Sequence, residues 1–183
     1  MNAYIDLLQQ AHDKKWCIQE FCTTCGSMDF RNAAKKLAQQ EDNQLASALA
    51  ALDLSELYTF KNWGTSLNLA LDVIGKAEEM DRVLTAWLPQ LDQHIRIADH
   101  ILFYYVRKGA LFAPMSIDML EQWRDKCIEL AVRTRDVSLV ESLICTIGNY
   151  HEYPALADHI QQFVENGSYT IQKALRRRNR RRS

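Results

Sequence analysis

The sequence predicts an all-α protein, and three observations support this fold class. The 183 residues include only 3 prolines and 6 glycines, whereas a β-sandwich or barrel needs a turn every few residues. Apolar side chains recur at spacings of three and four residues, which is typical of helices with one buried face. No segment shows the convincing alternation of apolar and polar residues that a half-buried strand requires.

The helices are predicted in chain order from this periodicity. In the first half of the chain they cover 2–16, 28–40, 42–52, 65–77 and 78–88. Three apolar stripes then predict one helix each: Ile95, Ala98, Leu102 and Tyr105; Leu120, Trp123, Cys127 and Leu130; Val137, Val140, Ile144 and Ile147. The last two helices are predicted over 153–165 and 168–182. Glycines and prolines fall near the proposed helix ends or in connections.

Short connections predict that consecutive helices pack antiparallel. We therefore expect a multi-helix antiparallel bundle, or a short α-solenoid-like array of the HEAT or TPR type, although no fixed repeat period supports the array. We expect one helical domain over 1–175, in which 1–26 holds the first helix and a cysteine-rich turn. An arginine-rich tail over 176–183 follows it.

The formal net charge of −1 hides a strong asymmetry. Six arginines cluster at the C-terminus: Arg176, Arg177, Arg178, Arg180, Arg181 and Arg182. Without them, 16 of the 22 basic side chains remain against 23 acidic ones, so the rest of the chain carries about −7. Such an arginine run is typical of nucleic-acid binding through phosphates, without sequence choice. It could equally complement the dipole of the last helix, or bind an acidic protein surface.

The chain is expected to be cytoplasmic. Its N-terminus does not resemble a signal peptide, and no apolar stretch approaches the roughly 20 residues that span a bilayer. The 5 cysteines are an odd number, which argues against a disulfide framework.

Three of these cysteines form a cluster whose chemistry the sequence leaves open. Cys17, Cys22 and Cys25 are spaced C-x4-C-x2-C, and His12 lies five residues before the first. The C-x2-C turn is typical of a structural Zn²⁺ site, which needs two further ligands. His12 and Cys17 are the local candidates, and they converge only if the first helix ends near Lys14.

Two other interpretations of the cluster remain. The spacing resembles that of plant-type [2Fe–2S] ferredoxins over nine residues, which implies iron–sulfur or redox chemistry. That fold is β-rich, however, and this sequence predicts no strands. Alternatively, the cysteines are simply small buried side chains, and Cys127 fits this interpretation because it lies on an apolar stripe.

No known catalytic motif occurs: there is no glycine-rich phosphate loop, G-x-S-x-G or H-E-x-x-H. We therefore expect a non-enzymatic adaptor or accessory subunit of a larger bacterial complex that acts on nucleic acid, such as a DNA-processing or anti-phage complex. Its helical body would bind a partner protein and its arginine tail would bind phosphates. The alternative is a metal- or thiol-dependent enzyme or redox sensor that uses Cys17, Cys22 and Cys25.

Overall fold

A computed structural model describes residues 2–19, 26–103 and 115–180. Within these ranges every regular element is a helix, so the all-α prediction is confirmed. The α-helices are α1 Ala3–Asp13, α2 Gly26–Ala38, α3 Gln44–Ala50, α4 Trp63–Leu71, α5 Ala77–Trp87, α6 Ile95–Ile101, α7 Ile117–Thr134, α8 Val137–Thr146, α9 Pro154–Glu165 and α10 Tyr169–Arg180. Short 3-10 turns cover Leu54–Thr59, Leu88–Gln90 and Tyr150–Glu152.

Local polar residues set several of the helix ends. The side chain of Asn2 accepts the N–H of Tyr4 at 3.0 Å and begins α1, and Asp136 accepts the N–H of Leu139 at 2.9 Å and begins α8. Each cap satisfies a backbone donor that has no partner within the helix. The turn over Leu54–Thr59 lies where the sequence predicts no helix, because a segment of six residues is too short to show a period.

The chain packs as two compact units, Met1–Gln90 with Ala110–Met119, and Leu91–Gly109 with Leu120–Ser183. The core of the first unit is aromatic and aliphatic. The rings of Tyr4 and Phe30 meet edge to face, with centroids 6.5 Å apart. The fully buried Trp87 donates its indole N–H to the carbonyl oxygen of Leu49 at 2.8 Å, which ties α5 to α3. The single domain expected over 1–175 stays a prediction.

In the second unit, α7 packs against α6 through the stripe that the sequence predicts. Trp123, Cys127 and Leu130 are buried. The Trp123 indole N–H donates to the carbonyl oxygen of Ala98 at 3.2 Å, and the Cys127 thiol approaches the same oxygen at 3.7 Å. One carbonyl of α6 therefore accepts from two side chains of α7.

Among the described residues, the other two predicted stripes are buried apart from their first positions. Val137 is exposed, whereas Val140, Ile144 and Ile147 are buried as predicted, and Leu139 and Leu143 widen the buried face of α8. In α6, the buried positions are Ile97, Ala98 and Ile101, followed by Leu102, whereas Ile95 is half-buried. Tyr105 lies outside the described residues. A spacing of three and four residues identifies the buried side of a helix. It does not fix the width of the buried stripe, which tertiary packing decides.

Gly26 begins α2 in close contact with the chain that leaves α1. A Cβ atom at this position would lie 2.5 Å from the Cβ of Trp16 and 2.7 Å from the nitrogen of Cys17. Real Cβ atoms do not approach so closely, because the overlap is steeply repulsive. The contact therefore requires glycine and sets the position of Trp16.

Gly26→Ala should lower the free energy of unfolding by about 1–3 kcal/mol, because the added methyl group displaces the chain at Trp16 and Cys17. Urea denaturation measures the change. Gly148→Ala is the matched control, since a Cβ at Gly148 meets nothing within 4 Å, and it should shift stability by less than about 0.5 kcal/mol. If Gly26→Ala and Gly148→Ala had equal free energies of unfolding, the close contact between Gly26 and Trp16 would be contradicted.

His159 should make the second unit sensitive to acid. Burial, followed by the charge of Arg135, lowers the pKa of His159 below its usual value, and its Nε2 lies buried without a hydrogen bond. A depressed histidine pKa leaves stability unaffected above the unfolded value of about 6.5, and stability falls as the pH drops below it. His159→Gln should therefore lose less stability than the wild type between pH 7.5 and 5.5 in thermal denaturation.

The exposed His151 provides the control, because His151→Gln should lose as much stability in acid as the wild type. If His159→Gln lost as much as the wild type, the burial of an uncharged His159 would be contradicted.

Candidate nucleic-acid interface

The described part of the arginine-rich segment belongs to a packed helix. Helix α10 covers Tyr169–Arg180 and packs on α8 and α9. Ile171 and Ala174 are buried on its inner face. The described arginines continue α10, as the helix predicted over 168–182 implies, and no separate tail begins at residue 176 within the described residues: Arg176, Arg177, Arg178 and Arg180. Arg181 and Arg182 lie outside the described residues.

Arg178 lies on the inner face and is held there. Its Nη2 donates to the carbonyl oxygen of Gly148 at 2.5 Å, and its guanidinium lies 4.4 Å from the ring centroid of Tyr150. Cation–π contact and a charge-assisted hydrogen bond both stabilise this position. Arg178 thus anchors α10 to the 148–150 segment, and its guanidinium is already engaged within the protein.

The opposite side of α10 carries most of the remaining charge. At about 100° per residue, five exposed side chains fall within about 100° of the helix circumference: Tyr169, Lys173, Arg176, Arg177 and Arg180. We call this set the basic face of α10. Tyr169 is 70% exposed, and the Lys173 ammonium lies 5.7 Å from its ring centroid.

Arg176 and Arg177 form no salt bridge with any residue that the structure describes. Their charges are instead favoured by the partial negative charge at the C-terminal end of α10. The helix dipole stabilises these cations without neutralising them, so Arg176 and Arg177 present positive charge at the surface.

Two residues of the basic face were missed from the sequence. Tyr169 and Lys173 precede the arginine run and carry no motif of their own. Their signal is spacing: positions i, i+4, i+7, i+8 and i+11 share one helix face once α10 is known to begin at Tyr169. The sequence contains this spacing, but the spacing identifies a face only when the first residue of the helix is known.

The cysteine cluster is only partly described. Cys22 and Cys25 lie outside the described residues, whereas Cys17 is exposed. Helix α1 ends at Asp13 with Lys14 as its C-cap, so the condition for His12 and Cys17 to converge is met. His12 is exposed, and its Nδ1 lies 3.4 Å from Asp13 Oδ1. Across 2–19, 26–103 and 115–180, no three metal-ligating side chains form a site, and the Zn²⁺ ion stays a prediction.

Cys127 behaves as a small buried side chain. It is fully buried beside Ala98, and burial, followed by the charge of Asp99, raises the pKa of its thiol well above the usual range. The thiolate, which is the form that binds metals and attacks electrophiles, is therefore suppressed at neutral pH. Cys145 is partly buried on α8.

Comparison with known proteins found no matching family model, curated protein or solved structure. Among the described helices, none has both the length and the apolar composition needed to cross a membrane.

Proposed function

We propose that the protein is a non-enzymatic, nucleic-acid-binding accessory subunit that contacts phosphates through the basic face of α10. The observation that supports this most directly is the division of α10 into two sides. Ile171, Ala174 and Arg178 hold the inner side, so that the exposed cations are presented on a helix whose rotation is fixed.

The dimensions of the basic face suit a polyanion. From Tyr169 to Arg180 the helix rises about 16 Å, a length over which a nucleic-acid strand presents several phosphates. Arginine binds phosphate in a forked geometry and keeps its charge at all physiological pH values. Three arginines and one lysine on a folded helix lose less conformational entropy on binding than the same side chains on a disordered tail.

The exposed Tyr169 favours a single-stranded ligand. Stacking of an unpaired base on an aromatic ring is sequence-tolerant, and it is a common feature of single-strand binding surfaces. In a duplex the bases are stacked inside the helix, so only the phosphates are available to contact the basic face of α10. We therefore propose that the phosphates belong to single-stranded nucleic acid, with a base on Tyr169.

Phosphate contacts alone carry no sequence information. A partner subunit bound to the helical body would supply the sequence choice that such contacts lack, and we include this partner in the proposal. The proposed setting is a bacterial DNA-processing or anti-phage complex, and affinity purification from the native host would identify the partner.

Substitution of the three exposed arginines should weaken binding to a single-stranded oligonucleotide by at least about tenfold near 0.1 M salt. The variant is Arg176→Gln/Arg177→Gln/Arg180→Gln. Each lost phosphate contact also removes a released counterion, so the slope of log K against log salt should become shallower by roughly 2 in total. Fluorescence anisotropy over a salt series measures both quantities.

A matched control removes the same charge elsewhere. Arg31, Lys35 and Lys36 are exposed on α2, so Arg31→Gln/Lys35→Gln/Lys36→Gln changes the net charge equally and should leave the affinity and the slope near those of the wild type. If the two triple variants behaved alike, net charge and not the basic face of α10 would account for binding, and the proposal would be wrong.

Tyr169→Ala should weaken binding to a single strand by about fivefold or more, because base stacking on an aromatic ring contributes about 1–3 kcal/mol per base. The same substitution should leave duplex binding almost unchanged, and Tyr169→Phe should restore single-strand binding because the ring is retained. Equal losses on single-stranded and duplex ligands would contradict the assignment of a base to Tyr169.

A further inference from the structure

A cleft of about 630 Å³ lies in the first unit, between the end of α1 and the chain that enters α4. Its apolar lining comes from Leu8, Ala11 and Ile18, which are all buried in the fold. Trp16 and Phe60 add two half-buried aromatic side chains to the walls. Polar side chains, among them His12, Asn62 and Ser66, complete the lining. A cleft of this volume that combines apolar walls with polar groups is typical of sites that bind small molecules.

Two lysines add positive charge to this cleft. Lys15 and Lys61 both line it and are exposed. Neither ammonium group has an acidic partner within the described ranges. Unneutralised cations beside aromatic walls form a surface suited to a planar molecule that carries an anionic group.

Lys15 occupies a left-handed backbone conformation, which favours glycine. Its φ angle is 53°, and α1 ends with the bonds Lys15 N–H to His12 O at 3.0 Å and Trp16 N–H to Ala11 O at 2.9 Å. The same pair of bonds closes α9, where the residue with positive φ is Gly167. Glycine relieves the steric conflict at this position. At Lys15 the steric strain remains, and the lysine side chain adds a cation to the lining of the cleft.

The Trp16 part of the aromatic wall has contacts of its own within the protein. The close contact of Gly26 with the Cα and Cβ of Trp16 constrains the backbone there, and the Lys14 ammonium lies 5.3 Å from the centroid of the Trp16 ring. A wall that is already ordered loses little conformational entropy on binding.

From these features we propose that the cleft binds a nucleoside monophosphate, with its base against Trp16 and Phe60 and its phosphate at Lys15 and Lys61. The base supplies the planar, partly apolar surface that the walls match, and the phosphate supplies the anion. This site is independent of the basic face of α10, and neither proposal requires the other.

Lys15→Gly is the most informative variant, because it should change two quantities in opposite directions. Relief of backbone strain should raise the stability of the protein, whereas loss of the cation should lower its affinity for the ligand. The substitution should raise the melting temperature by relieving the backbone, and it should weaken binding of adenosine monophosphate by about fivefold to tenfold by removing a cation. Lys61→Gln should weaken binding by a similar factor without raising the melting temperature. Isothermal titration calorimetry gives the affinities, and thermal denaturation without ligand gives the melting temperatures.

Arg135→Gly is the matched control. Arg135 also has a positive φ angle, of 57°, and lies in the second unit, so this variant likewise removes one cation and relieves the backbone. It should raise the melting temperature and bind adenosine monophosphate as the wild type does. The triple arginine variant of α10 should also bind the mononucleotide normally, which separates this test from that of the proposed function.

Adenosine and inorganic phosphate should each bind more weakly than adenosine monophosphate, because each satisfies only one part of the cleft. The proposal is overturned if none of the adenosine, guanosine, cytidine and uridine monophosphates binds. It is also overturned if adenosine binds as tightly as its monophosphate, or if Lys15→Gly and Lys61→Gln both retain wild-type affinity.

Discussion

The rotation of one helix about its axis decides which cations of the C-terminal segment face solvent, and Arg178 is central to that rotation. Its hydrogen bond to the Gly148 carbonyl and its contact with the Tyr150 ring orient one side of α10 inward, as do the buried Ile171 and Ala174. Because a helix is rigid, fixing the inner side also fixes the basic face. Arg178, which faces inward, thus helps to determine the direction in which the exposed arginines of α10 point.

The charge of the rest of the chain makes this arrangement selective. Apart from the six C-terminal arginines, the chain carries about −7, and such a surface repels a polyanion over about one Debye length. Under the proposed function, the negative charge elsewhere would disfavour unspecific contact with a polyanion, and the basic face would provide the place where contact is favourable.

The sequence predicted the fold class well because helical periodicity and helix caps are local properties. The stripe through Trp123, Cys127 and Leu130 is buried as expected, whereas α1 ends at Asp13, three residues before the end predicted from periodicity. By contrast, the inward position of Arg178 depends on the 148–150 segment thirty residues away. No pattern within the arginine run distinguishes Arg178 from its neighbours, so this role could not be read from sequence.

The left-handed conformation of Lys15 was equally hidden, because nothing in "HDKKWC" separates it from an ordinary surface lysine. Helix α9 ends with the same pair of backbone hydrogen bonds and has a glycine, Gly167, at the position of positive φ. A lysine in that place contributes a cation and accepts steric strain. Since Arg135 has a similar φ and does not line this cleft, the case for the α1–α4 cleft depends on the lysines and aromatic side chains that line it together.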